Sequence, residues 1–571
     1  MKETKRILAL CLVLFMVIFA FAACTSNDEP PAATEAPAET DTAEDTGDEE
    51  APAGGGILRL GAIGLDGVFN PITQNQIEDS YVTDLIFDGL ISNDATGAPV
   101  PLLGTWEISE DYLTYTFTLF EGITFSDGEP MTTADVAFTY RTMAHPDYDG
   151  PRNYAVSPMV GHDAFRAGET DEFPGVEIID DLTIAFHFYE ASPANIWSFE
   201  YGILPVHIYD FEDWSEFVAL ERHPIGSGRF IFEEYRPMEF VRLSANTNHW
   251  NPDRIPQVDG ILIIEIPNEI LLDALAAGDI DFAQPSTTID NYNALQAQEG
   301  TDAVVFLGNG FQFMTFNTES PQLEDHRVRQ ALMYALDRQA FVDITLGAAL
   351  GSVGMAPISP ASWAFPDGDG LNDYAFNMER AQELMAEAGF TPGDDGILVN
   401  EAGVRMELTF PVYTEVEWPG VVAGLAADSW GQLGVDLNIE LTDFNTVIAR
   451  TMTPEPGEKE FDVYVLGFSL AIDPDPSGAI FDYDAFMAGG FNASGFFHAR
   501  AQELIAEGRT EFDQDARAEI YAEWAELMNY YLPSVIMAYR NELWAVNSNV
   551  NGMVIDTFLR WPVLVHEVTL G

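Results

Sequence analysis

Residues 467–476, with the sequence GFSLAIDPDP, place an aromatic ring and two carboxylates close together in the chain. Phe468 is the kind of side chain that lines ligand clefts, and Asp473 and Asp475 could hold a cation. A carboxylate in a closed, water-poor cleft suits a cationic amine, because a charge-assisted hydrogen bond is strong there. The alternative is that Asp473 and Asp475 only shape a proline-rich turn.

Residues that could catalyse a reaction or hold a metal are not grouped in the sequence. The nine histidines are scattered singly without an HExxH motif, and the two cysteines are Cys11 and Cys24. We therefore expect no metal site and no cofactor, and we expect the isolated His498 to be structural. No GxSxG element marks a nucleophile. Gly226 and Gly228 look like part of a phosphate loop, but no lysine-bearing helix follows, so no nucleotide site is predicted.

The elements that would position a site are clearest in residues 99–143. Apolar residues alternate with threonine over residues 113–119, which predicts a half-buried strand. A second short strand is predicted to start at residues 123–125. Thr132 followed by Asp135 fits a capping box that opens a helix. Together with the later alternation of strands and helices, this pattern predicts an α/β protein.

This stretch resembles the signature of bacterial extracellular solute-binding proteins of family 5, the oligopeptide, dipeptide and nickel class. Further similarity to the family lies at residues 203–209, 224–230, 274–282 and 325–338, so the resemblance covers nearly all of residues 57–539. The signature positions that match in one register are Pro101, Leu103, Trp106, Ser109, Asp111, Thr114, Tyr115, Phe117, Leu119, Gly122, Phe125, Asp127, Gly128, Pro130, Thr132, Asp135, Val136 and Phe138.

The resemblance implies an α/β, two-lobed, class II periplasmic-binding fold with an additional subdomain, which traps its ligand by hinge closure. A chain of 571 residues is too long for a single core, which also favours separate lobes. The expected boundaries are as follows: lobe I comprises residues 57–97, 224–303 and 536–571, the additional subdomain comprises residues 98–223, and lobe II comprises residues 304–535.

The resemblance also implies ligand-contacting residues. Peptide-binding members of the family have a ligand edge that maps onto Asn75, Gln76 and Ile77. An extended backbone there could pair with an extended peptide by strand addition. The alternative is an ordinary polar loop that precedes a helix.

The segment 467–476 corresponds to the ligand pocket of peptide-binding relatives. Phe468 stands where those proteins have a lining aromatic residue, with Ser469 and Leu470 beside it. Asp473 lies one position from the acidic residue that pairs with the α-ammonium group of a peptide. Arg450 corresponds to a cleft arginine that could meet a ligand carboxylate.

The amino-terminal residues predict export and a lipid anchor. A positive start and an apolar run over residues 7–21 are typical of a signal peptide, which we place at residues 1–23. The sequence FAAC before and including Cys24 resembles a bacterial lipobox, which implies acylation of Cys24 and attachment to the outer face of the cell membrane. The alternative is an ordinary secretory signal. Residues 24–56 are acidic, contain no basic residue and are predicted to be a disordered tether.

The charge balance limits the partners. The formal net charge is -69, from 93 acidic and 24 basic residues, so nucleic acid and anionic lipid surfaces should be repelled. We expect a monomeric substrate-binding component of an ABC importer, not an enzyme, that binds a peptide and docks on permease subunits. An oligosaccharide or metal chelate as ligand, a surface receptor or adhesin without transport, and a hydrolase are the alternatives. The acidity suits a solvated surface in a salty or calcium-rich environment, or a field that attracts cationic solutes.

Overall fold

The computed structural model describes residues 55–366, 368 and 370–571. The predicted signal peptide, Cys24 and all but the last two residues of the predicted tether lie outside these residues. Within the described ranges, no helix combines the length and the apolar character needed to cross a membrane.

The strands are β1 (Ile57–Ala62), β2 (Ile91–Asn93), β3 (Pro99–Pro101), β4 (Gly104–Ile108), β5 (Thr114–Leu119), β6 (Val176–Ile178), β7 (Thr183–His187), β8 (Phe230–Arg236), β9 (Phe240–Ala245), β10 (Gly260–Glu265), β11 (Phe282–Ala283), β12 (Thr301–Leu307), β13 (Gly310–Phe316), β14 (Gly351–Val353), β15 (Thr391–Pro392), β16 (Leu398–Val399), β17 (Glu407–Tyr413), β18 (Asp436–Thr442), β19 (Val463–Ser469), β20 (Ser534–Asn547), β21 (Val550–Asn551) and β22 (Thr569–Leu570).

The α-helices are α1 (Ile77–Ile86), α2 (Thr133–Met143), α3 (His162–Arg166), α4 (Val206–Tyr209), α5 (Trp214–Ala219), α6 (Asn268–Ala277), α7 (Ile289–Ala297), α8 (His326–Tyr334), α9 (Arg338–Thr345), α10 (Gly347–Leu350), α11 (Met378–Glu387), α12 (Trp418–Leu433), α13 (Phe444–Thr451), α14 (Ala499–Thr510) and α15 (Gln514–Tyr531). Short 3₁₀ turns lie at Asn153–Ala155, Pro193–Phe199, Pro252–Arg254, Tyr483–Ala485 and Val565–Glu567.

A ten-stranded mixed sheet runs in the order β19-β13-β20-β11-β1-β10-β9-β8, with β12 and β14 also paired to β20. The first part of β20 pairs with β13, and its last part pairs with β11 and β12. Strands β13 and β19 belong to the predicted lobe II, whereas β1 and β8 to β11 belong to the predicted lobe I. The fold is α/β and two-lobed as predicted, and β20 crosses the predicted boundary at residue 535 to join both lobes in one sheet.

A separate four-stranded sheet, in the order β4-β5-β7-β6, lies within the predicted additional subdomain. The prediction of a strand at residues 113–119 is confirmed by β5, in which Tyr115, Phe117 and Leu119 are buried. The strand predicted at residues 123–125 is wrong, because Thr124 forms only an isolated bridge with Pro130. The backbone turns back at once there, since the N–H groups of Phe125 and Gly128 bond to the carbonyls of Glu129 and Phe125.

The capping box at the start of α2 is confirmed. The Thr132 hydroxyl accepts from the Ala134 N–H at 3.3 Å, and the Asp135 carboxylate accepts from the Thr132 N–H at 2.8 Å. The other oxygen of Asp135 accepts from the Val206 N–H at 2.9 Å. Asp135, in the first turn of α2, therefore also fixes the start of α4.

Gly226 and Gly228 serve a close approach of two backbone segments. A Cβ atom on Gly226 would lie 2.2 Å from the Ile86 carbonyl oxygen, and one on Gly228 would lie 2.5 Å from the Ile86 carbonyl carbon. The Gly228 N–H donates to that same oxygen at 2.7 Å. The glycines fasten the end of α1 and its following loop.

Buried and half-buried ionisable side chains lie around Asp88 in the loop that follows α1. We call Asp88, Arg229, His249, Arg254 and His566 the Asp88 cluster. The Asp88 carboxylate is 3.7 Å from His249 Nε2 and 3.8 Å from Arg254 Nη1. Burial raises the pKa of Asp88, but the neighbouring His249 and the arginine charges outweigh burial, so the net shift is downward. Burial lowers the pKa of His566 to about 4, and the charges of Arg229 and Arg254 act in the same direction.

The low pKa of His566 predicts acid sensitivity. The folded chain binds fewer protons at His566 than the unfolded chain between about pH 4 and 6.5, so stability is lost as the pH falls through that window. We expect His566→Gln to lose about 2 kcal/mol less unfolding free energy than wild type between pH 7 and pH 4.5. Urea titrations of the mature chain at both pH values measure the difference. Equal losses for the two proteins would contradict the prediction.

Candidate functional site

Three adjoining cavities form a groove between the lobes. The central cavity measures about 400 Å³. Ile472 lines both the central cavity and a second one of about 330 Å³ beside Arg517. Asn309 lines both the central cavity and a third one of about 310 Å³ beside Phe468. We name them the central, Arg517 and Phe468 cavities.

The central cavity is bounded by all three predicted parts of the chain. Its polar walls come from the predicted lobe I, the additional subdomain and lobe II, so a molecule inside would contact each of them. The lining residues that matter for binding are Gln74, Asp84, Asp88, Arg152, Tyr154, Glu200, Tyr201, Arg229, Arg254, Asn309, Leu470, Ile472 and Arg560.

Residues 467–473, predicted from sequence to line a ligand pocket, run along the whole groove. Phe468 and Ser469, at the end of β19, line the Phe468 cavity; Leu470 lines the central cavity; Asp473 lines the Arg517 cavity. The Asn309 amide holds this segment in place by donating to the carbonyls of Leu470 and Ala471 at 3.0 and 2.9 Å. The Asn309 side chain therefore fixes the main chain of this part of the groove wall.

The Phe468 cavity is rich in aromatic side chains. The Phe468 ring stacks on Phe311 with centroids 6.1 Å apart, and Tyr413 and Trp418 complete the apolar wall. Aromatic rings offer large contact areas to apolar or ring-bearing groups.

Asp473 is engaged within the protein. Its carboxylate makes two hydrogen bonds of 2.7 Å with the Arg517 guanidinium, and the two side chains are 10% and 3% exposed. The same carboxylate accepts from the Asp475 N–H at 3.0 Å, and Asp475 in turn accepts from the Ser477 N–H at 2.9 Å. Both aspartates thus shape the turn, and Arg517 compensates the charge of Asp473.

The other predicted ligand residues lie apart from these cavities. Asn75, Gln76 and Ile77 are exposed at the start of α1, although the preceding Gln74 lines the central cavity. Arg450 donates to the Glu440 carboxylate at 2.6 Å and to the Glu460 carbonyl at 3.1 Å.

Sequence reasoning did not identify the charged residues of the central cavity. Arg560 lies 3.0 Å from the Asp84 carboxylate, whose pKa is raised by burial and held back by the arginine charge. Arg152, Glu200 and Arg560 come from loops that are distant in the chain and follow no period. The one signal in the sequence was the scarcity of basic residues. Because they are so few, each arginine that does not form an ion pair at the surface is a candidate for a special role.

Among residues 55–571, apart from Asp367 and Asp369, no group of three or more His, Cys, Asp or Glu side chains is arranged to hold a metal ion. His498 begins α14, where its ring accepts from the Ala501 N–H at 3.4 Å.

The Asp473–Arg517 pair can be separated from ligand recognition by a double-mutant cycle. Asp473→Asn leaves a buried guanidinium without its carboxylate, so we expect a loss of about 3–5 kcal/mol in unfolding free energy. The second change, Arg517→Met, should restore much of that loss in the double variant. Urea unfolding measures both effects. If Asp473 instead recognises the ligand amine, Asp473→Asn will weaken ligand binding while stability stays at the wild-type value.

Comparison with known proteins places this groove in a family. The sequence profile of the "Bacterial extracellular solute-binding proteins, family 5 Middle" matches residues 98–486. The oligopeptide-binding protein AppA of Bacillus subtilis is 24% identical over 564 residues, which are 97% of this chain and 96% of AppA. Its structure in complex with a nonapeptide matches with a TM-score of 0.71 at 23% identity, covering 91% of this chain and all of that one.

Other solved structures share the fold. The substrate-binding protein CtaP of Listeria monocytogenes matches with a TM-score of 0.77 at 23% identity, over 90% of this chain and 99% of CtaP. NikZ of Campylobacter jejuni, solved with Ni(L-His), matches with a TM-score of 0.72 at 21% identity, over 90% and 99% of the two chains. The chain belongs to the bacterial extracellular solute-binding proteins of family 5, which bind solutes and are not enzymes.

Proposed function

We propose that this chain captures a peptide outside the cell in the groove between its lobes and delivers it to the permease of an ABC importer. The observation that carries the proposal is the course of residues 467–473, which line all three cavities while their main chain is held by Asn309. A preorganised wall of this kind binds an extended solute without first having to be ordered. The nonapeptide bound by AppA supports a peptide as the class of ligand.

Contacts between the additional subdomain and lobe II support capture by closure. Tyr112, at the β4–β5 turn, stacks on Phe512 with ring centroids 3.8 Å apart and planes at 18°. Glu190 forms an ion pair with Arg509. Both contacts join the additional subdomain to lobe II, and the Tyr112 ring is 41% exposed. Small, solvent-exposed contacts can break and re-form, which suits a hinged closure.

Within this function we assign ligand contact to Phe468, Ser469 and Leu470. The aromatic wall beside Phe468 would receive an apolar side chain of the peptide, and Leu470 would face the middle of the bound chain. Asn75, Gln76 and Ile77 follow Gln74 and could contribute only at the outer end of a longer peptide, whereas Arg450 is engaged by Glu440 and Glu460. Asp473 would act through the turn that it forms with Arg517.

Peptide capture is tested by native mass spectrometry of the purified mature chain with a mixed peptide digest. We expect unchanged peptides to be retained, because no catalytic step is involved. Leu470→Trp fills the central cavity and should reduce retention at least about tenfold. Leu441→Trp, at a position that is 70% exposed on β18, is the matched control and should bind like wild type. Retention of no peptide, or recovery of cleaved peptides, would refute the proposal.

We further propose that Cys24 carries the lipid that holds the mature chain on the outer face of the cell membrane, with residues 25–56 as a tether and the folded part acting as a monomer. Cys24 and residues 25–54 lie outside the described ranges, and the lipobox-like sequence FAAC supports the proposal. Acyl chains would anchor the protein through burial of methylene groups.

The anchor is tested by changing Cys24→Ser in the producing cell. The variant should appear in the soluble fraction or the medium, whereas wild type stays with the membranes and incorporates labelled palmitate. Ser26→Ala, two residues further on, is the control and should remain membrane-bound. Membrane association of Cys24→Ser equal to wild type would exclude this anchor.

A further inference from the structure

The central cavity contains four arginines in a chain that has only 24 basic residues against 93 acidic ones. Three of the four are engaged within the protein. Arg560 pairs with Asp84 at 3.0 Å, and Arg254 faces Asp88 at 3.8 Å. Arg229 donates to the carbonyls of Val563 and Asp84 at 2.6 and 3.2 Å.

Arg152 is the fourth. Its guanidinium makes one long hydrogen bond, from Nη2 to the Gln74 carbonyl at 3.3 Å, and its buried Nε, like that of Arg229, has no acceptor. In the described part of the chain, no carboxylate lies within 4.0 Å of it. A cation that is partly removed from water and not neutralised favours an anionic partner.

The arginine is nevertheless held in position. Its backbone N–H donates to the Tyr148 hydroxyl at 2.9 Å, and that hydroxyl donates to the Ile72 carbonyl at 2.6 Å. Its guanidinium lies over the Tyr201 ring at 5.5 Å, and the Tyr201 hydroxyl contacts that of Tyr154. Arg152 therefore presents a fixed donor fork to the cavity, without the need for ordering on binding.

We propose that Arg152 binds the terminal carboxylate of a short peptide in the central cavity. This inference rests on the proposed function and names the ligand end that the site selects. The guanidinium fork matches a carboxylate geometrically, and one hydroxyl of the hydrogen-bonded Tyr154–Tyr201 pair can donate to the same group. Glu200 lines the same cavity and lies more than 4.0 Å from Arg152. A ligand that carries both a positive and a negative group can therefore contact both side chains.

The size of the cavity sets the length of the ligand. Its volume of about 400 Å³ is near the lower end of the roughly 300–1,000 Å³ that is common for small-molecule sites. A peptide whose carboxylate reaches Arg152 can place only its last few residues in this space. We therefore assign the site to peptides with a free carboxyl end, with dipeptides and tripeptides as the simplest members.

The probes are an equimolar mixture of synthetic dipeptides and tripeptides with free carboxyl ends and the same mixture with amidated ends. Native mass spectrometry of the mature chain counts the retained members of each series. Wild type should retain free acids about tenfold or more over amides, since one charge-assisted contact is at stake. Arg152→Gln should abolish this preference, and Arg152→Lys should restore part of it because the charge remains.

Arg141→Gln is the matched control. Arg141 lies in the same subdomain, donates to the Asp171 carbonyl at 2.7 Å and stacks on Phe165 at 5.0 Å, but it does not line the cavity. It should keep the full preference for free acids, and melting curves should show that all variants are folded. Equal retention of acids and amides by wild type, or an unchanged preference in Arg152→Gln, would overturn the role of Arg152 and leave peptide capture intact. Retention of neither series by a chain that retains peptides from the mixed digest would overturn the assignment to short peptides alone, and retention of no peptide from either source would overturn both.

Discussion

The pairing of β20 with strands from both lobes is the interaction on which the groove depends. The same strand bonds to β13 in the predicted lobe II, to β11 in the predicted lobe I and to β12, which spans the predicted boundary after residue 303, so the predicted lobes share one hydrogen-bonded sheet. The β12–β13 connection is fixed over β20, because the Gly308 N–H donates to the Arg540 carbonyl at 2.9 Å. The next residue, Asn309, holds the main chain at Leu470. One wall of the groove is thus built by backbone pairing, and the additional subdomain supplies another.

The scarcity of cations determines how the interior is held together. Arg329 donates to the carbonyls of Leu323 and Tyr531, each at 2.6 Å, and Arg338 donates to those of Gly354 and Ile536 at 2.6 and 2.8 Å. Burial lowers the pKa of each guanidinium to about 10, so both remain charged at neutral pH. Each of these two buried arginines therefore joins several backbone carbonyl groups. An arginine that is not engaged in this way, such as Arg152, therefore indicates which group of a ligand the cavity can bind.

Local structure could be predicted from the sequence, whereas the partners of the site residues could not. The alternation in β5 and the spacing of Thr132 and Asp135 depend on neighbours in the chain, and both appear in the fold as expected. Asp473 lines the Arg517 cavity, but its pairing with Arg517 joins positions 44 residues apart and depends on which face α15 turns inward. Arg152 and Glu200, whose charged side chains line the cavity, belong to loops. No periodicity in the sequence of a loop predicts the direction of a side chain. Family resemblance located the groove segment, and only tertiary packing showed which charges were still available.

The charge of the whole chain and the charge of its central cavity act on a solute at different stages. A formal charge of -69 creates a negative field that repels anions, but salt screens that field beyond about 8–10 Å. A peptide with two charged ends carries little net charge, so the field neither attracts nor excludes it strongly. In the proposed mode of capture, closure would reduce the water in the groove, and the separate charges of the ligand would interact with Arg152 and Glu200 more strongly than they could at the surface. Selection among solutes would then take place at closure, where the predicted lobes and the additional subdomain meet, and not during the first encounter.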